Sequence, residues 1–309
     1  MTPKKPQILY SPMLASFGGG SARGFNPGGG DLYAFSSFTF TNAGQTGRTG
    51  PSLAQCQSAY SGEAFLSGFF TMTTTGYQKW TVPRTGDYTF IVKGAESGAS
   101  TNQGSVTGKG AILSGFVISL NESDVLTLVV GQTGPTVTFS GGGGGGSFVV
   151  NGSTLLLAAG GGGGGGFYNP DQNGQNASST LSVTNSTSSQ GGSAGANNGG
   201  SGGAGFSGDG SNSYSNGGGH DFSNGFEGGV GSGTSRANGG FGGGGAGGAG
   251  TAANAGGGGG GYRGGDGQQG ASPWSNGDAS TNARDTNVTA GTVSTNNSGH
   301  GSISITAPT

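Results

Sequence analysis

Two runs of glycine, Gly141–Gly146 and Gly160–Gly166, flank the apolar segment Ser-Phe-Val-Val-Asn-Gly-Ser-Thr-Leu-Leu-Leu-Ala-Ala at 147–159. Two further tracts follow, 239–245 interrupted by Phe241, and Gly256–Gly261 closed by Tyr262. Such runs constrain the fold severely. Glycine loses more backbone entropy on ordering than any other residue, roughly 1 kcal/mol relative to alanine, and has no side chain to bury in return. An ordered tract therefore needs partners for its own amides and carbonyls. One conformation supplies them: the extended three-residue helix, rising about 3.1 Å per residue with no internal hydrogen bonds, so that its polar groups point outward to neighbours. Six residues then span roughly 19 Å, and any Cβ would clash, as at the axis of collagen. The alternative is a flexible tether. The strand-like segment between the first two tracts favours order, because a strand pair there sets both tracts side by side.

Glycine (78) and proline (10) make up about 28% of the 309 residues, at the border of low-complexity composition. Charged residues are only 8%, which argues against charge-driven disorder, while hydrophobic residues at 29% are too few for one large core. Val, Ile, Leu, Phe and Trp concentrate between Leu32 and Leu157, with a last short cluster at Ile303 and Ile305. The expectation is one modest β domain carrying a glycine-rich insertion. A net charge of −2 gives no general attraction to nucleic acid. No run approaches the ~18 apolar residues of a membrane span, so no membrane insertion is expected. Segment 8–17 is broken by Pro12, after Pro3 and Pro6, and does not read as a secretory signal. The single cysteine, Cys56, leaves no intramolecular disulfide and no cysteine-based metal site.

Taken in order, residues 1–30 read as an arm, either disordered or docked through Ile8, Leu9, Tyr10, Met13 and Leu14. Residues 31–159 form a β-sandwich that includes the first glycine tract. Phe38-Thr39-Phe40-Thr41 alternates, a turn at 82–87 leads to Tyr88–Val92, and 116–120 and 125–130 are apolar strands joined by Asn121-Glu122-Ser123-Asp124. Asn151-Gly152 is the preferred pair for a type I′ hairpin turn. Ser52 caps a short helix up to Tyr60. Residues 160–291 form the glycine-rich bundle, and 292–309 supply a final strand, Gly299–Thr306. A lone strand must pair with something, so it is expected to return to the sandwich.

The segments 38–52, Gln55-Cys56, Ala59-Tyr60, Gly76–Pro83, Thr85–Tyr88, Lys93-Gly94-Ala95 and Leu128–Gly134 carry a resemblance. So do the Gly141 tract, Leu155–Gly160, Gly239–Gly242, Gly256–Tyr262, and Gly299-His300-Gly301 with Ile303 and Ile305. Together they are similar to the glycine-rich extracellular region of the anaplastic lymphoma kinase and leukocyte tyrosine kinase receptors. The resemblance implies a tumour-necrosis-factor-like β-sandwich interrupted by a bundle of polyglycine II helices. The family has a cysteine where this chain has Ala43, so Cys56 is expected to be a buried free thiol. No kinase segment is read within these residues, and receptor signalling is not carried over. The Phe-Thr-Phe-Thr-Asn and Gly-Arg-Thr-Gly-Pro openings also resemble structural proteins of marine bacteriophages, and such bundles resemble the adhesin tips of some T-even-like phages.

Chemistry is hard to find. His220 and His300 lie far apart, and no Gly-x-Ser-x-Gly elbow accompanies them. Lys109 follows Gly108, but Gln103 and Gly110 stand where a P-loop needs glycine and Ser or Thr. Asp209, Asp266 and Asp278 fit neither an EF-hand nor the glycine-rich calcium repeat. No enzyme and no cofactor is expected. Aromatic residues at tract ends are either caps that shield the bundle or exposed contacts for a receptor, the contacts being Tyr168, Tyr214, Phe222 and Trp274 among Asn, Ser and Asp. Trp80 reads as core. The functional expectation is a non-enzymatic virion structural or fibre protein of a bacteriophage. Its expected partners are other virion proteins through the arm, and a host-surface glycan or protein; homo-oligomerisation stays open. The alternative is a secreted or surface-displayed binding module.

Overall fold

Alternating apolar residues in the first and last strands close the first of two β-sheets. The computed structural model describes residues 30–102, 104–167, 173–183, 189–195, 199–214, 216–233, 235–248, 254–267 and 282–309. Asp31–Thr309 is one compact unit, and of Met1–Gly30 only Gly30 is described. In chain order the strands are β1 (Ser37–Phe40), β2 (Phe70–Thr71), β3 (Tyr77–Thr81), β4 (Gly86–Lys93), β5 (Gly110–Leu120) and β6 (Val125–Val129). They continue as β7 (Ser147–Asn151), β8 (Thr154–Ala159), β9 (Leu181–Val183), β10 (Asn282–Arg284), β11 (Thr292–Asn297) and β12 (Ser302–Thr306). One helix, α1 (Leu53–Ala59), and one 3-10 turn at Ala64–Leu66 complete the described elements, so the fold is mainly β.

One sheet runs β1-β12-β4-β5-β11 and the other β2-β3-β6-β7-β8-β10-β9. All pairs are antiparallel except β9 with β10. The last strand does return: Ile303 and Ile305 on β12 sit opposite Val92 and Phe90 of β4, and opposite Phe40 and Phe38 of β1. The sheets share one core, with Phe40, Tyr88 and Phe90 from one meeting Trp80, Leu128 and Leu157 from the other. Each large side chain removed from water there stabilises by roughly 1.5–3 kcal/mol.

Helix α1 starts where the sequence indicates. Ser52 and Gln55 form a capping box, each side chain bonded to the other's backbone N–H. The helix buries Cys56, a free thiol whose pKa burial pushes up to about 12, a hydrogen bond with Tyr60 partly opposing. The β7–β8 turn differs from expectation. Asn151 pairs with Thr154, so Gly152 and Ser153 are the central residues, and of these two only Gly152 has positive φ, at 59°. A type I′ turn needs positive φ at both central residues. The turn thus lies one residue further along than Asn151-Gly152, and the register shift between Val149 and Val150 leaves Leu156 as an extra residue on β8.

The second sheet is buried on both faces. Its inner face enters the shared core, while Tyr77, Val129, Phe148, Val150 and Ala158 pack outward against Phe226, Phe241 and Tyr262. This explains the near-continuous apolar run of β8, since a strand covered on both sides has no polar alternation.

The glycine segments prolong the strands beyond the sandwich: Gly94 follows β4, Gly131 comes one residue after β6, Gly146 precedes β7 and Gly160 follows β8. Around Gly141–Gly146 the backbone partners repeat every third residue. Gly141 and Gly144 donate to Gly165 and Gly162, both at 2.8 Å. Gly142 and Gly145 donate to Pro135 and Gln132 (3.3 and 3.0 Å), and Gly143 and Gly146 to Gly245 and Gly242 (3.0 and 2.8 Å). The carbonyls follow the same period: Gly257 and Gly260 donate to Gly141 and Gly144, while Gly98 and Ala95 donate to Gly142 and Gly145. A Cβ on Gly143 would lie 2.0 Å from the Gly258 oxygen, and one on Gly145 would lie 1.7 Å from the Phe241 oxygen. The tracts approach so closely that backbone occupies the space a side chain needs.

Candidate binding surfaces

The glycine region has two ends, and the aromatic residues divide between them. At the end adjoining the second sheet, Phe226 stacks on Phe148 with centroids 4.2 Å apart, Phe222 stacks on Tyr77 at 5.1 Å, and Phe206 stacks on Phe222 at 5.1 Å. The Tyr77 hydroxyl donates to the Phe222 carbonyl. Phe222, expected among the exposed contacts, is thus half-buried in a stack that joins the glycine region to the sandwich.

At the other end, Ser140 Oγ donates to Gly248 O and Ser213 Oγ to Gly199 O, which brings the outer loops together. Ser213 and Asn216 pair as a tight bridge (3.0 and 2.6 Å), and the Asn216 side chain also accepts from Ser232 N. Tyr214 stands on this bridge with φ 35° and 91% exposure. Val230, half exposed, lies alongside, its carbonyl accepting from Gly217 N. An exposed tyrosine on a braced turn presents an apolar ring and a polar tip at little further entropic cost. Tyr168 and Trp274 lie outside the described residues, as do Ile8, Leu9, Tyr10, Met13 and Leu14.

The histidines do not meet. His300 Nδ1 accepts from Thr133 N at 3.1 Å, and burial lowers its pKa. His220 Nδ1 lies 3.5 Å from Asp209 Oδ2, with both side chains over 40% exposed. Beside His300, Glu96 accepts from Lys109 Nζ, Thr107 Oγ1 and Gly299 N. Burial raises the Glu96 pKa, but these bonds outweigh it and hold the carboxyl below its usual range. Among the described residues no group of three or more His, Cys, Asp or Glu side chains gathers, and no helix is long and apolar enough to cross a membrane.

Sequence reasoning missed the turn at 221–227. The Asp221 carboxylate, 6% exposed, accepts from Ser223 Oγ at 2.7 Å and Asn224 N at 3.0 Å, while its carbonyl accepts from Phe226 N. Asp with Ser and Asn close behind is an Asx-turn signature, and it was readable in the residues. Arg48 then locks the turn: Nη2 meets Glu227 Oε2 at 2.6 Å, and Nε donates to Gly228 O at 2.9 Å. That long-range pair left no local signal.

No protein-family model matches the chain. It is 32% identical over 98 residues to the leukocyte tyrosine kinase receptor of Mus musculus, a stretch that is 31% of this chain and 11% of that receptor. The chain therefore spans about a tenth of the length of the curated relative it matches.

Proposed function

We propose that the chain is a non-enzymatic structural or fibre protein of a virion, of bacteriophage type, in which a tumour-necrosis-factor-like sandwich carries a rigid bundle of polyglycine II helices. The observation behind this reading is the three-residue repeat of partners around Gly141–Gly146. A three-fold extended helix directs successive amides to three different neighbours, which a tether or a twisted sheet does not do. Rigidity of this kind, built without side chains, suits a part that holds its outer loops at a fixed distance from a base. Tyr214 and Val230 on that outer end are the contacts we assign to a host-surface glycan or protein, for particle decoration or attachment. The base would be joined to other virion proteins by residues 1–30.

Immunolabelling of particles from the source with an antibody to this chain tests the reading. Label on the particle surface supports it, and label confined to cell surfaces or medium overturns it. The similarity to the leukocyte tyrosine kinase receptor favours a second reading, a secreted or surface-displayed binding module. The same experiment separates the two.

A further inference from the structure

A cleft of about 420 Å³ opens where the sandwich meets the glycine region. Its walls come from three places: Thr49 and Gly50 before α1, Thr74 and Thr75 before β3, and the turn 223–227. Phe241 forms part of its lining. The volume lies within the range of small-molecule sites, roughly 300–1,000 Å³.

The polar groups here are held before any ligand arrives. Asn224 Nδ2 donates to both oxygens of Asp209 at 3.1 Å, which leaves its Oδ1 with no partner among the described residues. Glu227 is fixed through Oε2 by Arg48, and its other oxygen is likewise unpartnered among them. The hydroxyls of Thr74 and Thr75, both exposed, add groups that donate and accept. The backbone behind them is strained at Phe226, whose φ of 53° puts an aromatic residue in the left-handed region next to Gly225 at 88°. The Phe226 stack on Phe148 holds that conformation in place.

We propose that this cleft is a saccharide site, taking the terminal unit of an uncharged glycan. Fixed acceptors and adaptable hydroxyls match a ligand that carries several hydroxyls, and Phe241, 1% exposed between Gly50 and Gly76, only closes the floor of the cleft. An anion is disfavoured by Glu227 with Asp221 and Asp209 behind it, since the nearby cation, Arg48, is already paired. An apolar ligand would find a single large apolar side chain in the lining, Phe241, and that one almost wholly buried. As an attachment device the site rests on the role proposed above, whereas its binding chemistry stands apart from it.

The test is saturation-transfer NMR on the purified full chain with glucose, galactose, mannose, N-acetylglucosamine and N-acetylgalactosamine, each alone, and with sialic acid as the anionic comparison. At least one uncharged sugar is expected to bind in roughly the millimolar range. Thr75→Trp, at an exposed position, should abolish the signal while leaving the thermal transition unchanged. Glu227→Gln should weaken binding by about tenfold, the value of one hydrogen bond to a charged acceptor. Silence from all five uncharged sugars, binding of sialic acid alone, or unchanged binding to Thr75→Trp overturns the proposal. Particle labelling is unaffected by any of these results, so the two readings fail separately.

Discussion

Replacing Gly145 by alanine sets the packing of the glycine tracts against the flexible-tether alternative, because the two predict different outcomes. A loose tether is free in the folded and the unfolded chain alike, so Gly→Ala restricts both equally and leaves stability nearly unchanged. In the structure the new Cβ would sit 1.7 Å from the Phe241 oxygen, where contacts under 3.0 Å are essentially never seen. The segment around Phe241 must then retreat by at least 3.0 − 1.7 = 1.3 Å. Along the Gly146 N to Gly242 O bond, that displacement lengthens 2.8 Å to about 4.1 Å, beyond hydrogen-bonding reach. The Gly240 N to Gly143 O bond at 2.9 Å ties the same segment to the same tract and is lost with it. Two buried bonds at about 1 kcal/mol each, with overpacking at about 1–3 kcal/mol, give a loss of roughly 3–5 kcal/mol. At about 2–4 °C per kcal/mol, Tm should fall by roughly 6–20 °C in calorimetry or circular dichroism. Gly62→Ala, at φ 97° with open space around it, reports backbone strain alone and should cost only about 1–2 kcal/mol. A Tm for Gly145→Ala equal to or above that of the unsubstituted chain would refute the packing argument.

Other outcomes follow from the same contacts. Phe226→Ala empties the stack on Phe148 and should cost about 3–5 kcal/mol, with hydrogen exchange rising in the tracts more than in β4 and β12. His300 has a folded pKa below its usual 6.5, so its neutral form is favoured in the fold; stability should be full above that value and decline as pH drops through it. Glu96, held below its usual 4.5, adds a second loss at lower pH, and His300→Gln should remove the upper part of the decline in a Tm-against-pH series. Cys56 should resist thiol reagents until the chain unfolds, and labelling of the native protein at neutral pH would contradict its burial. On the virion role proposed above, deleting residues 1–30 should leave a folded protein that no longer co-purifies with particles.

Much of the sandwich was legible because its signals are local. The alternation of β1 and β12, the Ser52 cap and the apolar β8 all declare themselves within a few residues. What escaped depends on distant partners. Strands β9 and β10 are three residues each, too short for a period, and β11 is a polar edge, Thr-Val-Ser-Thr-Asn-Asn. The direction in which the aromatics would face was also hidden. Phe222 looked solvent-bound among Ser, Asn and Asp, but Tyr77, far back in the chain, supplies the ring it stacks on. Tyr214 has similar neighbours in sequence and stands 91% exposed. Only the fold distinguishes them.

The three-residue repeat around Gly141–Gly146 also has a kinetic side. A tract displaced by three residues along its neighbours would find the same pattern of amides and carbonyls, so the glycines cannot tell the correct alignment from a slipped one. Alignment must come from residues that break the monotony. Phe241 wedges between Gly50 and Gly76, and Ala204, Ala237, Ala246 and Ala255 are buried where a methyl group fits. Partners of the central tract come from as far apart in the chain as Ala95 and Gly260, and contacts of such separation form slowly. The tracts would then settle after the sandwich, with the strands β7 and β8 acting as the template that starts each run at a defined position. In a chain so dominated by one residue, the occasional methyl and phenyl groups are the punctuation that makes a single reading possible.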